Sequence, residues 1–508
     1  MKKVIFLAII PFVLIYFSAT AQRIMYSQPD RDDAKMISYE VIGKINGNIL
    51  IYKNNRDGQY ITLYDASMKM IEKNKMTYLP ERMYSIDFIN YPDYFSIVYQ
   101  YQFKNIMYCM AAQLDGKGRL MNEPVQLDST DIGNLKVNKI YSVIHSDDKQ
   151  KIMVFKINSK TDRENIVTTV LFDPSLNIIH RSRIDIAMPE RNTFLTEFQL
   201  DNAGDVAFVK ATRASQNDNI SKLILITKPA LQDEAMSTDL KLSNVYLDDV
   251  RLKVDNVNKH YLITSFFSKQ RKNNIDGLYL LLWDKQNNKE IYNGTANFSD
   301  ELRDEARGGN SMKSAFNDYF LRNIIMKNEG GFIISAEANY TSTRGNNIMN
   351  RWDYMYGNPY MAYGYYPYGS PFYYPYSSMY GYGYGSINQT RYSADNIAVI
   401  SFDDKGKMEW SNVIQKSQYD DNTDNYIGYG LINTGDQLHY LFNAQERRQT
   451  VFSDQTISPE GQIANNVTFK NLDRGYDFMP RRAKQVGARQ IIVPCLYRNY
   501  ICFAKVEL

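Results

Sequence analysis

The residues with the plainest capacity for chemistry are tyrosines crowded into one uncharged stretch. Residues 354–390 contain no charged side chain, and 354–384 hold 13 of the chain's 41 tyrosines. Tyr354, Tyr356, Tyr360, Tyr363, Tyr365, Tyr366, Tyr368, Tyr373, Tyr374 and Tyr376 are the candidate binding residues of this stretch. A tyrosine ring is flat, polar at its tip and cheap to immobilise, so such a run suits stacking on sugars, packing on a partner protein or resting at a membrane interface. The plainer alternative is a low-complexity loop folded back on its own domain. Gly and Pro recur through it and forbid a long helix, so a loop is expected over 341–395.

A second set of candidates is cationic. Arg163, Arg213, Arg271, Arg344 and Arg447 fall at corresponding places between successive strand-like runs. A guanidinium makes forked contacts with carboxylate or phosphate, so a rim of them suits an acidic glycan, lipid-borne phosphates or an acidic partner. Acids interspersed at Asp57, Asp162, Glu164, Asp218 and Glu446 dilute that field, and exposed turns collect charge in any case.

Catalytic and metal patterns do not assemble. His145, His180, His260 and His439 stand far apart with no zinc spacing, and no nucleophile elbow or phosphate-binding glycine loop occurs. The run from Asp420 to Asn425 opens like a calcium loop, but Asn425 stands where that loop needs Gly and Leu431 where it needs Glu. No cofactor or metal is expected, and an enzyme is the lesser expectation: a carbohydrate-active one whose carboxylates converge from distant segments at a channel mouth. With Arg498-Asn499 as a two-residue turn, Cys495 falls opposite Cys502, which allows a disulfide; Cys109 is left over.

The chain ends and composition narrow the setting. Lys2-Lys3, an apolar run over 4–17 and small residues at Ala19 and Ala21 read as a signal peptide cleaved after residue 21. An exported protein of the periplasm or cell surface is expected, and no later segment is apolar enough to span a bilayer. Losing Lys2 and Lys3 takes the formal charge from +3 to +1, which gives no electrostatic reason to seek nucleic acid.

What must position these residues is a repeat. From Ile37 onward, short β-branched and aromatic runs such as Ile49-Leu50-Ile51-Tyr52 and Val206-Ala207-Phe208-Val209 alternate with turns. The clearest marker is an apolar residue followed by Asp, as in Tyr64-Asp65, Leu114-Asp115, Phe172-Asp173, Trp283-Asp284 and Phe402-Asp403. Asp opens turns because its carboxylate accepts from nearby backbone amides. Asp65 to Asp115 is 50 residues and Asp115 to Asp173 is 58; only the interval from Asp284 to Asp403, at 119, is out of step, and it holds the tyrosine-rich stretch. Four strands in such a period predict an all-β fold: a single β-propeller over 22–508, of eight four-stranded blades, with seven as the alternative and a β-sandwich array as the structural runner-up. The tyrosine-rich insertion then lies between the second and third strands of the sixth repeat. The segment Arg23-Ile24-Met25-Tyr26-Ser27 is expected to close the ring against the C-terminus. Only residues 299–320 read as helical.

The Phe402-Asp403-Asp404-Lys405-Gly406 turn resembles that of exported propeller proteins of Bacteroidota-like bacteria. The resemblance implies a propeller in the periplasm or at the cell surface and carries over no site residues. The function expected is that of a binding or scaffold protein of the cell envelope that engages a partner protein or glycan.

Overall fold

The computed structural model describes residues 23–30, 37–133, 139–161, 163–215, 218–309, 311–343, 348–349, 390–421, 423–446, 449–466 and 475–508. Antiparallel sheets follow one another along the chain. The first is Ser38–Ile45, Asn48–Asn55, Gly58–Tyr64 and Met70–Lys75, each strand paired with the next. The same up-and-down order recurs over 85–131, 141–187, 193–240, 251–297, 319–420 and 429–465. The last sheet places Gln490–Tyr497 against Tyr500–Glu507 and takes Arg23–Tyr26 as its outer strand, with Ile24 opposite Val506. The expected closure of one terminus on the other is therefore present. Recurrent four-stranded antiparallel sheets in an all-β chain are the architecture of a β-propeller.

The apolar residues of the strand bodies explain the stacking. Each sheet is hydrophobic on both faces and cannot bury both alone, so every apolar cluster draws on two consecutive sheets. Leu50, Tyr52 and Leu63 pack with Phe95, Ile97 and Leu114. Ile49, Ile51 and Tyr64 pack with Ile492, Ile501 and Phe503, which joins the first sheet to the last. Each such fully buried side chain contributes roughly 1.5–3 kcal/mol relative to exposure. The first strands of the sheets adjoin one another: Ser38–Ile45 lies beside both Ser85–Asn90 and Lys484–Gly487, and Thr193–Leu200 beside both Tyr141–His145 and Arg251–Asp255. These first strands form the inner wall, and the fourth strands lie outermost.

The aspartate turns have a shared geometry. Asp65 Oδ1 accepts from the amides of Ser67 and Lys69, Asp115 Oδ1 from Lys117 and Arg119, and Asp403 Oδ1 from Lys405 and Lys407. The fourth residue of each turn is left-handed, with φ of 64° at Met68, 77° at Gly118 and 76° at Gly406. Two features depart from the sequence reading. Tyr246–Leu247 bridges the 193–240 and 251–297 strands into one nine-stranded sheet. Within the segment expected to be helical, 299–320, the described residues form α-helix at Asp300–Ala306, capped by the Ser299 side chain and stopped where Gly308 and Gly309 turn left-handed; a short 3-10 turn, Met312–Ser314, follows.

Candidate functional site

Hairpins joining second to third strands, and connections from one sheet to the next, emerge at one end of the sheets. The hairpin of Phe332–Thr343 with Thr390–Phe402 is the longest, its ladder reaching Thr343 opposite Thr390. It is the stem of the tyrosine-rich connection, between the second and third strands; residues 341–343 and 390–395, expected as loop, are strand because their backbones pair across the ladder. The ten candidate tyrosines, Arg344 and Arg447 lie outside the described residues.

The stem is held by an unusual density of polar contacts. Tyr340 donates to Asp395 at 2.7 Å, and Arg391 forks onto Asp421 at 2.6 and 3.1 Å while its guanidinium lies 4.4 Å from the Tyr419 ring centre. Beneath them Glu337, 1% exposed, meets Lys416 at 2.9 Å and both Arg322 and Arg481 at 3.5 Å. The Lys416 ammonium also donates to the Ala394 carbonyl and to Gln418, each at 2.8 Å. Arg481 belongs to the 3-10 turn Pro480–Arg482 of the last sheet and reaches Asn339 at 2.7 Å. It passes over Gly428, where a Cβ would stand 2.6 Å from the guanidinium and where φ is +89°. Burial raises the Glu337 carboxyl, but Lys416, Arg481 and Arg322 overcome that and hold it at about 2.

The described cations of the expected rim differ among themselves. Arg163 is exposed in its turn, its amide bonded to Thr161. Arg213 lies 4.4 Å over the Phe194 ring. Arg271 is engaged with the buried carboxylate of Asp218, so its charge is already met within the protein.

At the same end, a cavity of about 680 Å³ opens between the first two sheets. Its wall joins Asn54 and Gln59 of one hairpin, Gln102 and Lys104 of the next, and the connection carrying Glu81, Arg82 and Tyr84. Several of these side chains are held in place from behind. Tyr52 donates to Gln59 at 2.9 Å and Gln59 to the Pro80 carbonyl at 2.8 Å; Tyr84 donates to Gln102 at 2.9 Å and Gln102 to the Lys104 carbonyl at 2.8 Å. The sequence reading missed Arg82 and Tyr84. They fall in a sheet-to-sheet connection, and only the apposition of two sheets makes them neighbours of a hairpin.

The inner wall carries ion pairs that the sequence also concealed: Glu40 with Lys484 at 3.7 Å, Asp87 with Lys139 at 4.0 Å, and Glu197 with Arg251 at 3.0 Å. Burial lifts the Glu40 carboxyl to about 7; Lys484 opposes the rise and Asp87, on the adjoining strand, adds to it. Among the described residues no group of three or more His, Cys, Asp or Glu is placed to hold a metal. No helix among them is long and apolar enough to cross a membrane. Cys495 and Cys502 stand directly opposite, both buried and free as thiols, with Sγ atoms 3.0 Å apart; Cys109 is buried apart from them.

No family model matches the chain, and no curated protein matches it. Among solved structures it is similar to the WD40 domain of SCAP from fission yeast, at TM-score 0.39 and 9% identity over 96% of this chain and 98% of that one. It is also similar to prolyl oligopeptidase B from Galerina marginata, at TM-score 0.40 and 8% identity, covering 92% of this chain but 56% of that one. A third is an ulvan lyase of polysaccharide lyase family PL25, at TM-score 0.36 and 9% identity over 82% and 90% of the two chains. The likeness is one of fold alone.

Proposed function

We propose that the sheets close as an eight-bladed propeller, and that the protein is a binding or scaffold module of the cell envelope. On this reading residues 1–21 are removed on export, 22–508 form the propeller, and 341–395 are an insertion of the sixth blade. The face bearing the second-to-third-strand hairpins takes a partner protein or a glycan. The observation that carries the reading is the stem: the longest of the described second-to-third-strand hairpins, fixed by a buried carboxylate with three cations around it, leads into a connection whose residues 354–390 are uncharged and rich in tyrosine. A connection without a role needs no such anchorage.

Capture from crosslinked envelopes with the full mature chain tests it. A specific envelope component should be retained, and deletion of residues 354–390 should abolish its retention while leaving the unfolding midpoint unchanged. Recovery of the same components by the deleted protein refutes the reading.

A second reading is favoured by one observation. Glu40 and Asp87 sit on adjoining inner strands, and the raised Glu40 carboxyl suits a general acid near neutrality, as a glycan-cleaving enzyme needs. Loss of hydrolysis in both Glu40→Gln and Asp87→Asn, on any polysaccharide that the protein degrades, would establish it; absence of turnover on a broad polysaccharide panel removes it.

A further inference from the structure

The cavity between the first two sheets is built from residues remote in sequence from the tyrosine-rich stretch, and its chemistry is more specific than that of the face as a whole. Its volume, about 680 Å³, falls in the range of roughly 300–1,000 Å³ typical of small-molecule sites. Three features of the wall bear on what fits there.

The first is charge. Arg82 and Lys104 supply two cations against the one carboxylate of Glu81. Neither cation forms an ion pair among the described residues. Two arms of a cleft that keep their cations unmatched attract an anion, and the guanidinium favours a forked acceptor such as carboxylate.

The second is the carboxamides. Gln59 and Gln102 each receive a tyrosine hydroxyl on the oxygen and donate one N–H to a backbone carbonyl. Those bonds fix both planes and leave on each amide one lone pair and one N–H. Fixed groups that offer donor and acceptor side by side match a ligand whose every hydroxyl is both. The third is Tyr84, 41% exposed and tethered through its hydroxyl to Gln102, so that an aromatic ring borders the cleft in a set position. A flat ring beside paired amides is the complement of the apolar C–H face and polar edge of a pyranose.

We infer that this cleft binds a short acidic saccharide, its carboxylate on Arg82 and Lys104, its hydroxyls on Gln59, Gln102 and Asn54, and one sugar ring against Tyr84. The inference rests on the reading of this face as a binding surface and names the ligand class at one site on it. It does not use the tyrosine-rich connection.

The test is equilibrium binding of the full mature chain to trimers of galacturonate, mannuronate and glucuronate, with maltotriose and cellotriose as neutral counterparts. At least one uronate trimer should bind, more weakly as salt rises, and each of Arg82→Ala and Lys104→Ala should weaken it by about tenfold or more. Tyr84→Ala should weaken acidic and neutral sugars alike, and Tyr84→Phe, which keeps the ring and loses its tether, should lie between. These side chains are exposed, so the variants should unfold as the parent does, which a denaturant midpoint verifies. The inference is overturned if no uronate trimer binds, if neutral trimers bind as tightly as acidic ones, or if binding survives the double change Arg82→Ala, Lys104→Ala. Protein lacking residues 354–390 should bind the saccharide as the full chain does. Failure of partner capture there, with saccharide binding intact, separates the fate of the earlier reading from this one.

Discussion

The ionic cluster under the insertion stem can be put to a quantitative test through Glu337→Gln. The ordinary carboxyl value of 4.5 is held at about 2 in the fold. Each tenfold change in proton affinity is worth about 1.4 kcal/mol, so ionised Glu337 contributes on the order of 3 kcal/mol to folding. Because the folded value is the lower one, that stability is fully present above about pH 4.5 and is lost as pH falls toward about 2. Lys416 pulls the other way: its complete burial lowers its own pKa in spite of Glu337, so the lysine is the member that the carboxylate must keep charged. Replacing Glu337 by glutamine preserves shape and leaves Lys416, Arg322 and Arg481 without their common acceptor, and loss of one partner of a buried pair costs roughly 3–5 kcal/mol. Guanidinium unfolding followed by tryptophan fluorescence should show that loss at neutral pH, and an acid limb flatter than the parent's between about pH 4.5 and pH 2. The double change Glu337→Gln, Lys416→Met should recover more than half of it. A single-variant loss under about 1 kcal/mol, the scale of an exposed pair, with the acid limb unchanged, would refute the reasoning.

Glu40 predicts the opposite slope. Its folded carboxyl is raised to about 7, so its contribution is full below about pH 4.5 and is lost as pH rises through 7. Glu40→Gln should match the parent near pH 4 and exceed its stability by up to about 3 kcal/mol above pH 8, and a gap that does not change with pH removes the argument. The cysteines predict a thiol count. Cys495 and Cys502 lie in register with sulfurs 3.0 Å apart and Cys109 is buried elsewhere. Chain exposed to an oxidant and then denatured should titrate one thiol; a titre of three shows that the opposed pair does not join.

Local chemistry was legible and long-range apposition was not. The aspartate turns were readable because an Asp carboxylate bonds amides two and four residues on, as at Asp115 and Asp403, and such contacts are written within five residues of sequence. Cys495 opposite Cys502 was readable because a two-residue turn fixes register, and Arg498 and Asn499 do adopt the positive φ that such a turn requires, at 50° and 70°. The closing strand Arg23–Tyr26 was readable as a spare segment before the first full repeat. By contrast, Glu337 and Arg481 are 144 residues apart and meet only because a 3-10 turn interrupts the inner strand of the last sheet. The cavity escaped for the same reason, since Asn54, Arg82 and Lys104 belong to three segments that strand periodicity treats separately. Arg271 stands between His260–Ser268 and Gly277–Asp284, and its pairing with Asp218 could not be read from position.

The division between strand bodies and hairpin ends gives this arrangement its logic. Phe95, Phe208 and Phe266 are at most 2% exposed, each within a cluster shared by two consecutive sheets. Loss of one sheet thus uncovers two clusters, and the pairing of Arg23–Tyr26 with Tyr500–Glu507 extends that dependence around the whole array. Side chains at the hairpin ends, such as Gln102, Phe103 and Lys104, are exposed and enter none of these clusters. A change there alters the surface without opening the core, whereas a change in a strand body disturbs two interfaces together. Sequence change is therefore tolerated at one end of the sheets, where the stem of the tyrosine-rich connection and the Arg82–Lys104 cleft both lie, on a frame that such change does not weaken.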